Sequence, residues 1–322
     1  MYGYLVVGLI VVIGLIISYN RFQFAKAEKM YPPKGEFITV DGCRLHFIKK
    51  GEGHPVVFLH GGILSSRDFE RIVELAAGKG FMAIAFDRPG YGFSERPKSE
   101  VTPIQQARML HSAIKTLGVD EPVIIVAHSW SGSMSLSYAN QFPEDVRGVI
   151  TLGAALYKEG YPAENGDPLS KLVKTPILGK LIMNTMLKSP LGKGMAGAMV
   201  KETFKPEVPP EGYIEEVYAL AFRPRHFAAN REDVLAFPTA TKEISEDYNS
   251  LQHPVLILVG EDDPFGTIEH AERLNEELPQ SDLRILPKVA HMIPDVHPEL
   301  VVQNVVEFHK CLSSRISAAT KN

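Results

Sequence analysis

Six short apolar runs constrain this chain more than any other feature: Val56 to Leu59, Phe81 to Phe86, Val123 to Ala127, Val149 to Leu152, Val255 to Val259 and Leu283 to Leu286. Each is too short for a buried helix and, Arg284 apart, uncharged and mostly apolar at successive positions, the pattern of a strand covered on both faces. Between them lie helix-length segments: Asp68 to Ala77, Pro103 to Leu117, Ser133 to Gln141, Ile268 to Leu278 and Glu299 to Cys311. Parallel strands need a long crossover, and a helix is the compact way to make one, so this alternation predicts a mostly parallel α/β sheet with helices on both faces and six central strands. Upstream, Phe37 to Val40 and Arg44 to Ile48 flank Asp41-Gly42, a two-residue hairpin signal, so the sheet begins antiparallel. The rhythm stops once, between Leu156 and Asn249, where the sequence is helical, punctuated by proline and rich in Met and Gly. That stretch reads as an inserted helical cap.

The first twenty residues stand apart. Met1 to Asn20 contains no charged side chain, and Leu5 to Ile17 reads LVVGLIVVIGLII. Twenty helical residues span about 30 Å, the hydrocarbon thickness of a bilayer, so the segment reads as a single transmembrane helix. A cleavable signal peptide is the rival, because Ala25-Lys26-Ala27 resembles a cleavage site. Against it stand the missing basic n-region and the bulky Tyr19, Phe22 and Phe24 where small residues are needed. Arg21, Lys26, Lys29 and Lys34 follow the helix against one acid, Glu28, which by the positive-inside rule places the folded part in the cytoplasm. The expected organisation is a membrane helix at 1–20, a linker at 21–35 around Tyr31-Pro32-Pro33, a core at 36–155 and 250–314, a cap at 156–249 and a tail at 315–322. A net charge of -4 without a basic run excludes a nucleic-acid grip, and two distant cysteines, Cys43 and Cys311, offer neither a disulfide framework nor a zinc site.

Chemistry enters where the Val123 to Ala127 run ends, in Ala127-His128-Ser129-Trp130-Ser131-Gly132. A serine on a sharp strand-to-helix turn lifts its hydroxyl above the sheet, and the residues two before and two after must be small because backbone passes close by. Ala127 and Ser131 replace the usual glycines but keep that steric condition. A serine needs a base, and the base needs a carboxylate to hold its tautomer. Downstream, Gly260-Glu261-Asp262-Asp263 follows one strand and Ala290-His291 another, in the order Ser, acid, His. Ser129, Asp263 and His291 are the candidate catalytic residues, with Asp262 and Glu261 as alternative acids. His60-Gly61-Gly62-Ile63 closes the first central strand, so backbone N–H groups of Gly62 or Ile63, with Trp130, are candidate oxyanion donors. His60 and His128 read as structural. No metal or organic cofactor is called for.

These motifs, with Asp87-Arg88-Pro89-Gly90-Tyr91-Gly92-Phe93-Ser94 and Pro298-Glu299, resemble the α/β-hydrolase fold superfamily, and within it capped bacterial serine hydrolases of esterase type with an N-terminal membrane segment. The resemblance covers Phe37 to Leu312. It implies that Asp87 and Arg88 form a structural turn, that Asp263 is the acid and His291 the base, and that the reaction runs through an acyl-enzyme on Ser129. An epoxide hydrolase or a haloalkane dehalogenase would need a carboxylate nucleophile where Ser129 stands. The leading expectation is a carboxylesterase or lipase-like hydrolase acting on a small-molecule acyl substrate; carbon-carbon bond hydrolase, lactonase, thioesterase, acyltransferase and a non-catalytic membrane-tethered binding protein stay open. Met183, Met186, Met195 and Met199 should pack the cap and turn some thioethers toward a moderately apolar pocket. Arg223 and Arg225 are expected to pair with Glu232 or Asp233, the alternative being recognition of a substrate carboxylate.

Overall fold

A computed structural model of the chain describes residues 2–63, 65–99 and 101–319. It opens with helix α1 (Tyr2–Met30), followed by β1 (Glu36–Val40), β2 (Cys43–Lys50), β3 (His54–Leu59), α2 (Glu70–Ala77), β4 (Phe81–Phe86), α3 (Pro103–Thr116), β5 (Val123–His128), α4 (Ser131–Gln141) and β6 (Val146–Leu152). Five helices come next: α5 (Pro168–Val173), α6 (Leu178–Met186), α7 (Pro190–Phe204), α8 (Tyr213–Leu220) and α9 (Pro224–Glu246). The chain then returns to the sheet through β7 (Val255–Gly260), α10 (Thr267–Glu277), β8 (Ser281–Leu286), α11 (Ile293–Val296) and α12 (Pro298–Ala319).

The eight strands lie in the order β1-β2-β4-β3-β5-β6-β7-β8. β1 and β2 form a hairpin with Val40 opposite Cys43 across Asp41-Gly42, both at positive φ, which is what a two-residue turn matched to strand twist requires. β2 also runs antiparallel to β4, and every later pairing is parallel. After β3 the chain crosses to β4 on one side, then returns past β3 to β5 on the other. Such a reversal of winding opens a crevice at the carboxyl ends of the two strands, here β3 and β5.

Alternating residues on each central strand feed two cores. Val57, Leu59, Ile125 and Ala127 face α3 and α4; Val56, Phe58, Ile124 and Val126 face α2 and α12, and all eight are fully buried. The sixth apolar run departs from the expected central position. β8 closes the sheet, and half-buried or exposed residues run along it, with Ile285 44% exposed, because no strand covers its far side.

Two boundaries also differ from those read in the sequence. The linker expected at 21–35 is helical to Met30, because nothing between Asn20 and Met30 breaks a helix and Asn20 and Ala27 are buried where α1 meets α6 and α8. The connection shrinks to the residues around Pro32-Pro33. Of the tail expected at 315–322, α12 continues to Ala319 and 320–322 lie outside the described residues, as does Met1 at the other end.

Candidate active site

Ser129 sits between β5 and α4 with φ +53, a left-handed conformation costly for a side-chain-bearing residue and typical of a site held by its surroundings. The surroundings are explicit: Ser129 N–H donates to the Leu152 carbonyl at 3.0 Å, and the Ser129 carbonyl accepts from Gly132 at 2.9 Å and Ala155 at 3.0 Å. Gly132 is obligatory, since a Cβ there would lie 2.4 Å from the Ala154 Cβ. Ser131 fits because it is small and because its buried hydroxyl donates to the His60 carbonyl, tying the serine turn to the end of β3.

His291, on the loop after β8, receives the serine hydroxyl: Nε2 lies 3.0 Å from Ser129 Oγ, and Nδ1 lies 2.7 Å from Asp263 Oδ2. The carboxylate is fully buried. Burial alone would raise its pKa, but the His291 ring, the Thr267 side chain and the Phe265 N–H, which donates to Oδ1 at 2.9 Å, outweigh that and hold it below the usual carboxylate range. Asp262 and Glu261 point elsewhere; both are exposed, and Glu261 Oε2 accepts from the Lys288 N–H. Of the three acids only Asp263 meets the histidine.

Gly62 and Ile63 line the cavity in front of Ser129, and Trp130 N–H stands at the start of α4, where the helix dipole favours negative charge. Among the described residues no turn or loop hydrogen bond is donated by the amides of Gly62, Ile63 or Trp130. The loop is held from above: Asn230 Nδ2 donates to the Gly62 carbonyl at 2.7 Å, and His226 Nε2 donates to the Ile63 carbonyl at 3.0 Å. In a trans peptide the N–H opposes the C=O, so the Ile63 N–H is turned away from Asn230. The indole of Trp130 packs on the Arg88 guanidinium, 3.9 Å from it.

His60 and His128 support the frame. His60 Nε2 accepts from Arg88 N–H at 2.9 Å while Nδ1 donates to Gly61 O. His128 Nε2 donates to the His291 carbonyl at 2.9 Å, and burial next to His291 lowers its pKa to about 3, so it stays neutral. Sequence reading treated His128 as packing; it positions the backbone of the residue that faces Ser129. Gly153 was missed altogether. It has φ +48, and a Cβ there would come 2.9 Å from Asp263 Oδ2 and 3.3 Å from His291 Nδ1. Its signal was available, a glycine directly after the Val149 to Leu152 run.

The cavity measures about 170 Å³. Above Ser129 and His291 it is walled by Tyr161, Met199, Phe204, Val217 and Phe265, and among the described residues no Asp, Glu, Lys or Arg lines it. The methionines divide as expected between packing and pocket, while the arginine pairing needs correction. Met183 is buried within the helices between β6 and β7, and neither it nor Met186 reaches the cavity, because α6 stands farther out; of the four methionines these helices carry Met199 of α7 does, and Met292, next to His291, joins it. Arg223 pairs not with Glu232 or Asp233 but with Glu28 of α1, at 2.7 Å, since Asp233 is already claimed by Arg88 and Arg96, and Glu232 by Arg96.

Comparison with known proteins fits this geometry. The family model for the alpha/beta hydrolase fold matches residues 54–175. The uncharacterized hydrolase YugF of Bacillus subtilis is 26% identical over 282 residues, covering 85% of this chain and 97% of that protein. The 2-hydroxy-6-oxo-6-(2'-aminophenyl)hexa-2,4-dienoic acid hydrolase of Metapseudomonas resinovorans is 24% identical, covering 85% and 89%. Among solved structures, a thermophilic esterase from Thermogutta terrifontis superposes with a TM-score of 0.68 at 20% identity, covering 86% of this chain and 99% of that one.

Proposed function

We propose that this chain, a hydrolase of the α/β-hydrolase fold, is a serine hydrolase that cleaves neutral carboxylic esters through an acyl-enzyme. The observation that carries the reading is the unbroken line Ser129 Oγ, His291 Nε2, His291 Nδ1, Asp263 Oδ2, with steps of 3.0 and 2.7 Å, at the floor of a cavity without charged walls. Ser129 attacks the acyl carbon, His291 takes its proton and returns it to the leaving alcohol, and Asp263 holds the ring with Nδ1 protonated. Amides of Ile63 or Gly62 and of Trp130 receive the oxyanion, a contribution of about 10² to 10³ in rate for each donor. Water admitted after the alcohol leaves then repeats the sequence on the acyl-enzyme.

The choice of ester over a carbon-carbon bond rests on the walls. A substrate carrying a carboxylate, such as the dienoic acid named for the Metapseudomonas enzyme, would be desolvated here without a cation to meet it, and burying an unpaired charge is costly. The helices at 156–249 serve as a cap, with Met199 and Phe204 setting the shape of the acyl site, and α1, long and apolar enough to cross a membrane, anchors the enzyme there. A fluorophosphonate should label Ser129 and nothing in Ser129→Ala, and a p-nitrophenyl ester series should be hydrolysed with an optimum that moves in Met199→Ala. An enzyme that ignores these esters but cleaves an anionic dienoate would replace this reading with carbon-carbon hydrolysis.

A further inference from the structure

Outside α1, exposed large apolar side chains are few, and five of them, Leu172, Ile177, Leu178, Leu181 and Leu191, fall between α5 and the start of α7. The same stretch, Pro168 to Lys205, contains seven lysines against one acid, Glu202, in a chain whose net charge is -4. Lys188 is buried, with Nζ donating to backbone carbonyls of α8. The other six, Lys171, Lys174, Lys180, Lys193, Lys201 and Lys205, are exposed, and among the described residues none is in an ion pair. Helices α10 and α12 of the sheet layer, by contrast, turn charges of both signs outward. Interleaved leucine and unpaired lysine is a surface matched to the headgroup and acyl boundary of an anionic bilayer.

The placement of α1 says where that surface would stand. Its apolar part is unburied, with Ile13 and Ile17 half-covered, and ends at Asn20. There the Asn20 Oδ1 accepts from Lys188 N–H at 2.8 Å and its Nδ2 approaches the Thr185 carbonyl at 3.4 Å, so the α6–α7 junction sits beside the last residue of the span. The remaining turns to Met30 carry buried Ala27 and are clamped to the α8–α9 junction by the Glu28–Arg223 pair. A rigidly docked helix of this kind fixes the level of α6 and α7 at the membrane surface instead of leaving it to a loose tether. A groove of about 430 Å³ opens at this edge between α1 and α7–α8, with Lys26 and Lys193 and the phenols of Tyr19 and Tyr218 around it.

We propose that the exposed face of α5 to α7, with the groove at its α1 edge, docks on an anionic lipid bilayer, the leucines entering the interface and the lysines meeting lipid phosphates. The inference rests on α1 as the anchor. It gives α7 two duties: Leu191 and Lys193 lie on the lipid side, while Met199, Val200 and Phe204 wall the cavity over Ser129. A lipid-dissolved ester would then reach the site along one helix.

The test uses the full chain in which Cys311 is replaced by Ser, leaving only the buried Cys43, and an environment-sensitive dye placed at Ile177→Cys or, on the opposite end of the molecule, at Asp120→Cys. Both sites are exposed, so neither label disturbs packing. After reconstitution into phosphatidylcholine vesicles with and without phosphatidylglycerol, the dye at 177 should shift to the blue and resist aqueous iodide in the anionic vesicles alone, while the dye at 120 stays quenched in both. Lys174→Gln, Lys180→Gln and Lys193→Gln together should weaken docking about 100-fold, near fivefold for each charge removed. A chain that floats with the vesicles while both dyes are quenched overturns the docking and spares the anchor. Equal protection in both lipids overturns recognition of anionic lipid, and a chain that floats with neither vesicle overturns anchor and docking together.

Discussion

In the sheet, Val56, Val57, Phe58, Leu59, Ile124, Ile125, Val126 and Ala127 are buried among other hydrocarbons and meet nothing polar except their own strand ladder. In α9, the helix that lies over the serine turn, the buried residues include His226, Asn230, Asp233 and Thr241, and each of the first three reaches a residue of the sheet loops. The contrast is sharpest at Asp233. One oxygen accepts from Arg88 Nη1 at 2.6 Å and the Tyr91 hydroxyl at 2.9 Å, and the other from Arg96 Nη2 at 2.8 Å and Gln106 Nε2 at 3.1 Å. Apolar burial holds the sheet regardless of direction, but a saturated carboxylate fixes where α9 stands to within a hydrogen bond. The sheet therefore supplies stability and carries the residues proposed to react, while polar contacts across the seam set the register of the Gly62–Ile63 loop proposed to bear the oxyanion donors.

Separating chemistry from stability is the largest effect expected. Ser129→Ala and His291→Ala should each lower turnover by about 10⁴ or more, because members of such a unit fail together, and neither should lower Tm. A variant of either kind retaining activity within tenfold would remove the nucleophile and base from these positions. Next in size is the seam itself. Asp233→Ala leaves the buried Arg88 without a carboxylate and Arg96 with Glu232 alone, which should cost about 3–5 kcal/mol in denaturant unfolding, whereas Arg88→Met with Asp233→Leu should recover much of it. If Asp233→Ala costs no more than a surface substitution, the seam is held by packing, as the sheet is.

What the sequence made legible followed the same divide. The strands, their crossovers and the three residues in line at the site depend on local patterns, apolar runs and small residues at a turn, and these can be read one segment at a time. The partners of α9 could not be read, because Asp233 and Asn230 meet residues more than 120 positions away and a charged helix looks the same whether it faces water or a loop. The same cause misplaced Arg223, whose partner Glu28 lies 195 positions upstream, and left helix 21–30 looking like a linker. β8 looked central because an apolar run does not reveal that it is the last strand in the order.

A smaller effect sharpens the claim that the seam sets register. Asn230→Ala frees the Gly62 carbonyl without touching substrate, so it should lower kcat about 10-fold to 100-fold with little change in KM and about 1 kcal/mol in stability. Asn230→Asp cannot donate to the carbonyl and should fail as Ala does, while Asn230→Gln should recover part of the rate. A change in KM alone would make Asn230 a wall of the pocket instead.

The smallest effect is a pH dependence in which carboxyls of the seam and buried histidines pull in opposite directions. Asp68, on the turn before α2, accepts from the Tyr213 hydroxyl of α8 at 2.7 Å, and Asp295 of α11 lies against it, with Glu216 and Asp87 near and Arg67 beside Glu216. Burial, joined by Glu216 and Asp87, raises Asp68 to about 7, and burial with Asp68 and Glu216 raises Asp295 as well. An unfolded carboxyl ionises near about 3.9, so between that value and 7 the unfolded chain has released protons the folded one keeps, and stability falls as pH rises through the window. His128 and His226 oppose this. Burial, the first-named cause for each, holds both at about 3, so their contribution is present above about 6.5 and is lost as pH falls. Asp295→Asn leaves a neutral side chain of the same shape and removes one of the two carboxyls, so Tm should drop by a few degrees less between about pH 4.5 and 7 than it does in the wild type, and the histidine loss on acidification should stand out. Tm measured across that range in both proteins decides it: parallel curves would mean that Asp295 contributes nothing to the pH dependence of the fold.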